Sequence, residues 1–303
     1  MAGSVFVTTA FRVAAIAAAL VGMTASARAQ VESPYDISPG DAAFAVSASA
    51  LAALAIELLP ANAHEPGNGV NRLDTPVLDN FNRGAAWSSQ FLLVTTLVAP
   101  AALFVNRPVD DVARDRALLY GEAIAFTALS TNVLKHVIGR PRPYTHNPNA
   151  RDYVREQGKD ASMSFPSGHA SFAFAAAVSG GILYAMETDD VNLRATAWGA
   201  QLALATMTAN FRVRAGKHFY SDILAGALLG TGVSAVVVMS QSRDGYTPTG
   251  TEIGAMAGGI VVGALLSEVF PIGDDPLDKK QRRLALTPIG SGTMTGFAVQ
   301  GGF

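Results

Sequence analysis

Three short clusters of polar and charged residues interrupt an otherwise apolar chain, and their types suit the handling of an oxyanion. Lys135 is followed, after six residues, by Arg142-Pro143. Pro166-Ser167-Gly168-His169 opens a later apolar run. Arg212, His218 and Asp222 follow, separated by five and then three residues, at the junction of two more such runs. The set holds three cations, two histidines and one carboxylate. Arginine offers a planar fork of donors that matches phosphate oxygens, lysine adds a point charge, and first-turn amides after Pro166 would aim N–H groups at an anion. Ser167 adds a hydroxyl donor, and Gly168 lets the main chain approach closely. Lys135, Arg142, Ser167, Gly168 and Arg212 are therefore the expected phosphoryl-binding residues.

His218 and Asp222 are four apart, so on a helix they share a face, and a carboxylate on one imidazole nitrogen leaves the other for attack. His218 is the expected nucleophile and Asp222 its support. His169 has no carboxylate at that offset and is the better proton donor to a leaving oxygen. Each cation alone reads as a helix-end charge satisfying terminal carbonyls or reaching to an interface. It is their joint spacing that points to chemistry. His136 would point to another helix face than Lys135. His146 is a weaker candidate for touching substrate, and Arg140 reads as a solvated member of the first cluster.

The elements that must position these residues are apolar helices. Half of the 303 residues are hydrophobic and 15% are charged, against ~25% in an average soluble protein. Seven apolar runs, Ala42–Leu59, Ala86–Val105, Leu118–Val137, Ala170–Met186, Ala195–Phe211, Ile223–Met239 and Ile253–Phe270, mostly approach the ~20 residues that cross a bilayer core. Their Ala, Gly, Ser and Thr content suits close helix packing in lipid. The expected fold is an all-α bundle of about six core helices, membrane-embedded, with a short β-hairpin near the C-terminus joined through Ile289 to Gly292. Arg12, the apolar run Val13 to Met23 and Ala27-Arg28-Ala29 have the form of a cleavable leader, residues 1–29. Residues 30–85 then form an exported segment with an amphipathic or buried helix, 86–242 the catalytic core, and 243–303 a further apolar segment and tail. If every run crossed, a cleaved leader would leave the polar clusters in the cytoplasm. An Ala42–Leu59 helix that packs without crossing restores the parity.

Composition excludes several classes. With no cysteine there is no disulfide, thiolate nucleophile or cysteine zinc site. A formal charge of -2, without a basic aromatic-interleaved run, argues against a nucleic-acid partner. The basic run Lys279 to Arg283 reads as solvated or membrane-flanking charge.

The three clusters resemble, in order and internal spacing, the motifs of the type-2 phosphatidic acid phosphatase family, whose fold and site are shared with class A acid phosphatases and vanadium haloperoxidases. The resemblance covers Lys135 to Asp222. It implies phosphoryl binding by Lys135, Arg142, Ser167, Gly168 and Arg212, attack by His218 supported by Asp222, and acid catalysis by His169. No metal and no cofactor are implied. One position departs: the family usually has Ser before the third-motif arginine, and here it is Phe211, which leaves one supporting hydrogen bond in question. The expected substrate is a phosphorylated lipid or isoprenoid, met at the inner membrane from the periplasmic side. A soluble periplasmic acid phosphatase of broad specificity is the alternative within the same chemistry, and a vanadate-dependent haloperoxidase a more distant one.

Overall fold

The computed structural model describes residues 33–60, 70–270, 285–291 and 294–300. The expected leader 1–29 and the run Lys279 to Arg283 lie outside the described residues. Within them the chain forms eight α-helices: α1 (Pro39–Glu57), α2 (Arg83–Ala102), α3 (Asp111–Ile138), the short α4 (Arg151–Gln157), α5 (Gly168–Met186), α6 (Val191–Arg214), α7 (Tyr220–Ser240) and α8 (Gly250–Val269). Two strands follow, β1 (Ala285–Ser291) and β2 (Met294–Gln300), paired antiparallel with Ala285 opposite Gln300. The all-α bundle and its terminal hairpin are thus as expected, except that β1 continues through Ile289 to Ser291 before the chain reverses.

Local chemistry sets the helix ends. The Asn82 and Asp110 side chains accept the Ala85 and Ala113 amides at 2.8 and 3.0 Å, and Asp190 does the same for Asn192 and Leu193, each satisfying a first-turn N–H. Thr249 and Glu252 cap α8 reciprocally. Gly139, at a φ of 60°, ends α3 in the left-handed conformation and throws Arg140 and Arg142 off the helix.

Helix α5 is the hub, packing on α2, α3, α6 and α7. The main core joins Leu93, Leu119, Phe172, Ile182, Leu183, Trp198 and Val238. Where α7 crosses α5, a Cβ added to Gly230 would lie 2.0 Å from the Ser171 carbonyl oxygen, and one on Gly226 would lie 2.5 Å from that of Ser167. Only glycine allows this approach, which holds the Ser167 turn against α7.

The outer surface is apolar: Trp87 and Phe91 on α2, Leu228 and Val236 on α7, and Ile260 and Leu265 on α8 all face outward. Helices α2, α3, α5, α7 and α8 are long and apolar enough to cross a membrane. Helix α6 is more polar, with Arg194, Gln201 and Asn210, and lies among α2, α5 and α8, which keeps those groups inside protein.

Helix α1 lies along α3 and runs in the same direction, because Val46 neighbours Gly121 while the Ala53 carbonyl accepts from Asn132 Nδ2 at 3.1 Å. Its outward face carries Phe44 and Leu51, and Leu58 just beyond its end is exposed too. Tyr35 therefore sits at one end of the bundle, donating to Glu187, which also receives Arg116 through two bonds. The three polar clusters converge at the other end.

Candidate active site

Each cluster reaches this end by a different device. Lys135 comes from the last turn of α3, Arg142 from the extended chain after Gly139, Ser167 to His169 from the start of α5, and Arg212 from the last turn of α6. His218 follows a tight turn at Gly216, whose φ of 66° and closeness to the Asn80 carbonyl leave no room for a side chain. Arg142, Ser167, His169, Arg212, His218 and Asp222 are all buried. Burial first, and then the charges of Arg142, Lys135 and Arg212, disfavour protonation of His218, so these three expected cations lie near enough to bear on the imidazole.

His218 lies before helix α7, not on it. Phe219 is the N-cap, and Asp222 is the third helical residue, whose carboxylate accepts the Phe219 amide at 2.8 Å. The expected shared helical face is therefore replaced by a cap geometry. His218 Nδ1 is 2.7 Å from the Ser164 carbonyl oxygen and 3.6 Å from the Asp222 carboxylate. A carbonyl oxygen only accepts, so Nδ1 carries the proton and Nε2 the lone pair. Ser164 couples the two groups: its hydroxyl donates to Asp222 at 2.5 Å while its carbonyl takes the imidazole proton. Burial, followed by the charge of Arg142, pushes the His218 imidazolium well below its ordinary range, which keeps the ring neutral and nucleophilic.

The cations differ in how far the protein engages them. Arg142 Nη1 lies 3.0 Å from His218 Nε2 and donates to the Lys217 carbonyl at 2.8 Å. Its other edge is held by Asp160, the main-chain oxygen on Nε at 2.7 Å and the carboxylate on Nη2 at 2.8 Å. Lys135 donates to the Met163 carbonyl at 2.7 Å. Arg212 is the least engaged: Nη1 donates to Ser89 at 3.1 Å and the buried Nε has no hydrogen-bond partner among the described residues. Ser89, on α2, thus provides a hydroxyl contact to the arginine that the Phe211 departure had put in question. Phe211 itself is buried with Ala85, Leu92, Met207 and Ala215. Ser167 caps α5 through Ala170, at 3.4 Å, and Gly168 lies against the Lys135 stem.

Several site residues escaped sequence reasoning. Arg140 is not solvated; it bridges Asp222 at 2.6 Å and Asp74 at 2.8 Å and lies on the Phe219 ring. Asp74 also accepts from the Ser221 amide and hydroxyl, and although burial opposes it, the Arg140 and Ser221 hydrogen bonds hold its carboxyl below the ordinary range. Lys217 is buried on the rings of Tyr144 and Tyr153 and donates to Gln157 at 3.1 Å. Lys217 and Arg140 stood within the clusters and could have been flagged; Asp74, Ser89 and Asp160 come from other segments without a spacing signal. His146 packs edge-on against Phe219, and His136 pairs with the Asn132 carbonyl.

The arrangement can hold a tetrahedral oxyanion between Arg142, Lys135 and Arg212 beside a neutral imidazole lone pair. Comparison with known proteins agrees with that chemistry. A Drosophila melanogaster protein named "Putative phosphatidate phosphatase" is 32% identical over 170 residues, 44% of this chain and 43% of the relative. Lipid A 1-phosphatases of Rhizobium johnstonii and Rhizobium etli are each 30% identical over 123 residues, 40% of this chain and 46% and 49% of theirs. The chain thus spans less than half the length of each of these relatives. No solved structure matches it. Residues 116–246, which contain all three polar clusters, match the family model of the PAP2 superfamily.

Proposed function

We propose that this protein is a membrane-embedded phosphatase that hydrolyses a phosphate monoester or diphosphate of a lipid or isoprenoid through a phosphohistidine intermediate. The observation that carries this reading is the 3.0 Å approach of Arg142 Nη1 to His218 Nε2. A phosphoryl group drawn to this arginine takes that N–H onto one of its own oxygens, which frees the imidazole lone pair to face phosphorus. Nε2 attacks phosphorus, the P–N bond forms as the bond to the leaving oxygen breaks, and His169 gives that oxygen its proton. The charge left on the His218 ring is balanced by Asp222, directly and through Ser164. Water, deprotonated by His169, then attacks phosphorus, the P–N bond breaks, and inorganic phosphate leaves. Lys135, Arg142 and Arg212 stabilise the charge on the phosphoryl oxygens throughout. The relatives named for lipid phosphates support a lipid substrate, and the apolar outer surface favours this over a soluble acid phosphatase.

We further infer that the site faces the periplasm. Because α1 runs parallel to α3, residue 35 then lies on the cytoplasmic side. A periplasmic site and leader cleavage after Ala29 exclude each other if α1 crosses with α3.

The test is phosphate release from phosphatidic acid, phosphatidylglycerophosphate, undecaprenyl diphosphate, lipid A and p-nitrophenyl phosphate by detergent-solubilised protein with EDTA. Release from at least one lipid is expected, lost by ~10³-fold or more in His218→Ala with helical content unchanged. Activity that survives this substitution, or that EDTA abolishes and Mg²⁺ restores, contradicts the mechanism.

A further inference from the structure

The segment 160–164 crosses the site and holds it through its main chain. The carbonyl oxygens of Asp160, Ala161, Met163 and Ser164 lie 2.7 Å from Arg142 Nε, 2.9 Å from the Arg142 amide, 2.7 Å from Lys135 Nζ and 2.7 Å from His218 Nδ1. None of these bonds depends on which side chain the segment carries. One contact does: the Asp160 carboxylate accepts from Arg142 Nη2 at 2.8 Å.

A guanidinium has five N–H donors. In Arg142 one goes to the Asp160 carbonyl, one to the Asp160 carboxylate, one to Lys217 and one to His218 Nε2. Asp160 thus covers one whole edge of the fork and turns the other toward the imidazole. Its carboxylate also brings a negative charge to within one guanidinium of the place where a phosphoryl dianion would sit. Arg142 is 5% exposed in this pair, whereas the Asp160 side chain is 32% exposed, so the carboxylate stands at the solvent side of the site.

We propose that Asp160 is an affinity-limiting positioning residue: it aligns Arg142 on His218 and, by its charge, weakens the hold of the site on phosphoryl dianions, inorganic phosphate included. This rests on the phosphatase reading of the site. The consequence is a site that orients its substrate without retaining the phosphate it releases. A carboxylate serving only as a hydrogen-bond acceptor would be replaced without effect by an amide; a carboxylate acting through charge would not.

The experiment is isothermal titration of inorganic phosphate into the full chain in detergent, for the wild type, Asp160→Asn, Asp160→Ala and Arg142→Gln, with helical content checked for each. Asp160→Asn keeps an acceptor for Arg142 and removes the charge, and is expected to bind phosphate about tenfold more tightly, the scale of one like-charge repulsion near a protein surface. Asp160→Ala is expected to tighten binding too, and to lose more kcat than Asp160→Asn because Arg142 is no longer aligned. If either variant fails to fold, the other carries the binding readout. Unchanged or weaker binding in the Asp160 variants, with binding lost in Arg142→Gln, overturns the role of Asp160 and leaves the phosphatase reading standing. Equal phosphate binding by wild type and Arg142→Gln overturns both.

Discussion

Lys217 places an amine one residue from the nucleophile, between two tyrosine rings, and burial, together with the charge of Arg142, pushes its pKa down to about 6. An anion in the site favours the charged form and raises that value again. Between pH 6 and the ordinary lysine range near 10.4, binding therefore takes up a proton, and affinity falls as pH rises. Sulfate, a dianion throughout this range, is the clean probe: its Kd is expected to rise from pH 6 to 9, and less steeply in Lys217→Met. A flat profile in the wild type contradicts this. The gathering of Lys135, Arg142, Arg212 and His218 at one end of the bundle was legible because their types and spacing combined. Asp222 was found, but its geometry was not, because a four-residue spacing does not reveal whether a helix begins before or after the histidine. Ser164 acts largely through a carbonyl oxygen, a group every residue carries and no motif marks.

Among the described residues, all seven long helices coincide with apolar runs, and five of them have the length and hydrophobicity that crossing a bilayer requires. The short α4 was not legible, being a brief polar helix inside a loop whose sequence shows no apolar period. Small residues foretold close packing without saying where. Gly230 is one such place, and a Cβ there would meet the Ser171 carbonyl oxygen, whereas one on Gly232 meets nothing within 4 Å. Gly230→Ala is expected to cost about 2 kcal/mol or more of stability and to disturb the Ser167 turn, while Gly232→Ala is tolerated. Thermal unfolding in detergent compares them; equal midpoints for the two variants would mean that α5 and α7 do not meet as described.

At the scale of the whole molecule, the parallel course of α1 and α3 separates Tyr35 from the active-site end by the length of the bundle. Sequence alone favoured a first helix that does not cross, because an exported leader and a periplasmic site otherwise conflict; only the packing direction exposes the conflict as structural. The chain has no cysteine, so single cysteines can report sidedness without background. Asp36→Cys and Arg155→Cys are expected to react with a membrane-impermeant thiol reagent from opposite sides, Arg155→Cys from the periplasm. Labelling of both from one side would contradict the placement of Tyr35 and the active site at opposite ends of the bundle.

The central claim is that phosphorus becomes bonded to His218, and trapping that bond tests it most directly. Detergent-solubilised protein mixed with a ³²P-labelled lipid phosphate and quenched in alkali within milliseconds should carry label on the peptide containing His218, stable to base and labile to acid. The label should be absent in His218→Ala. Turnover without a labelled enzyme species, or label on any other residue, would contradict the account.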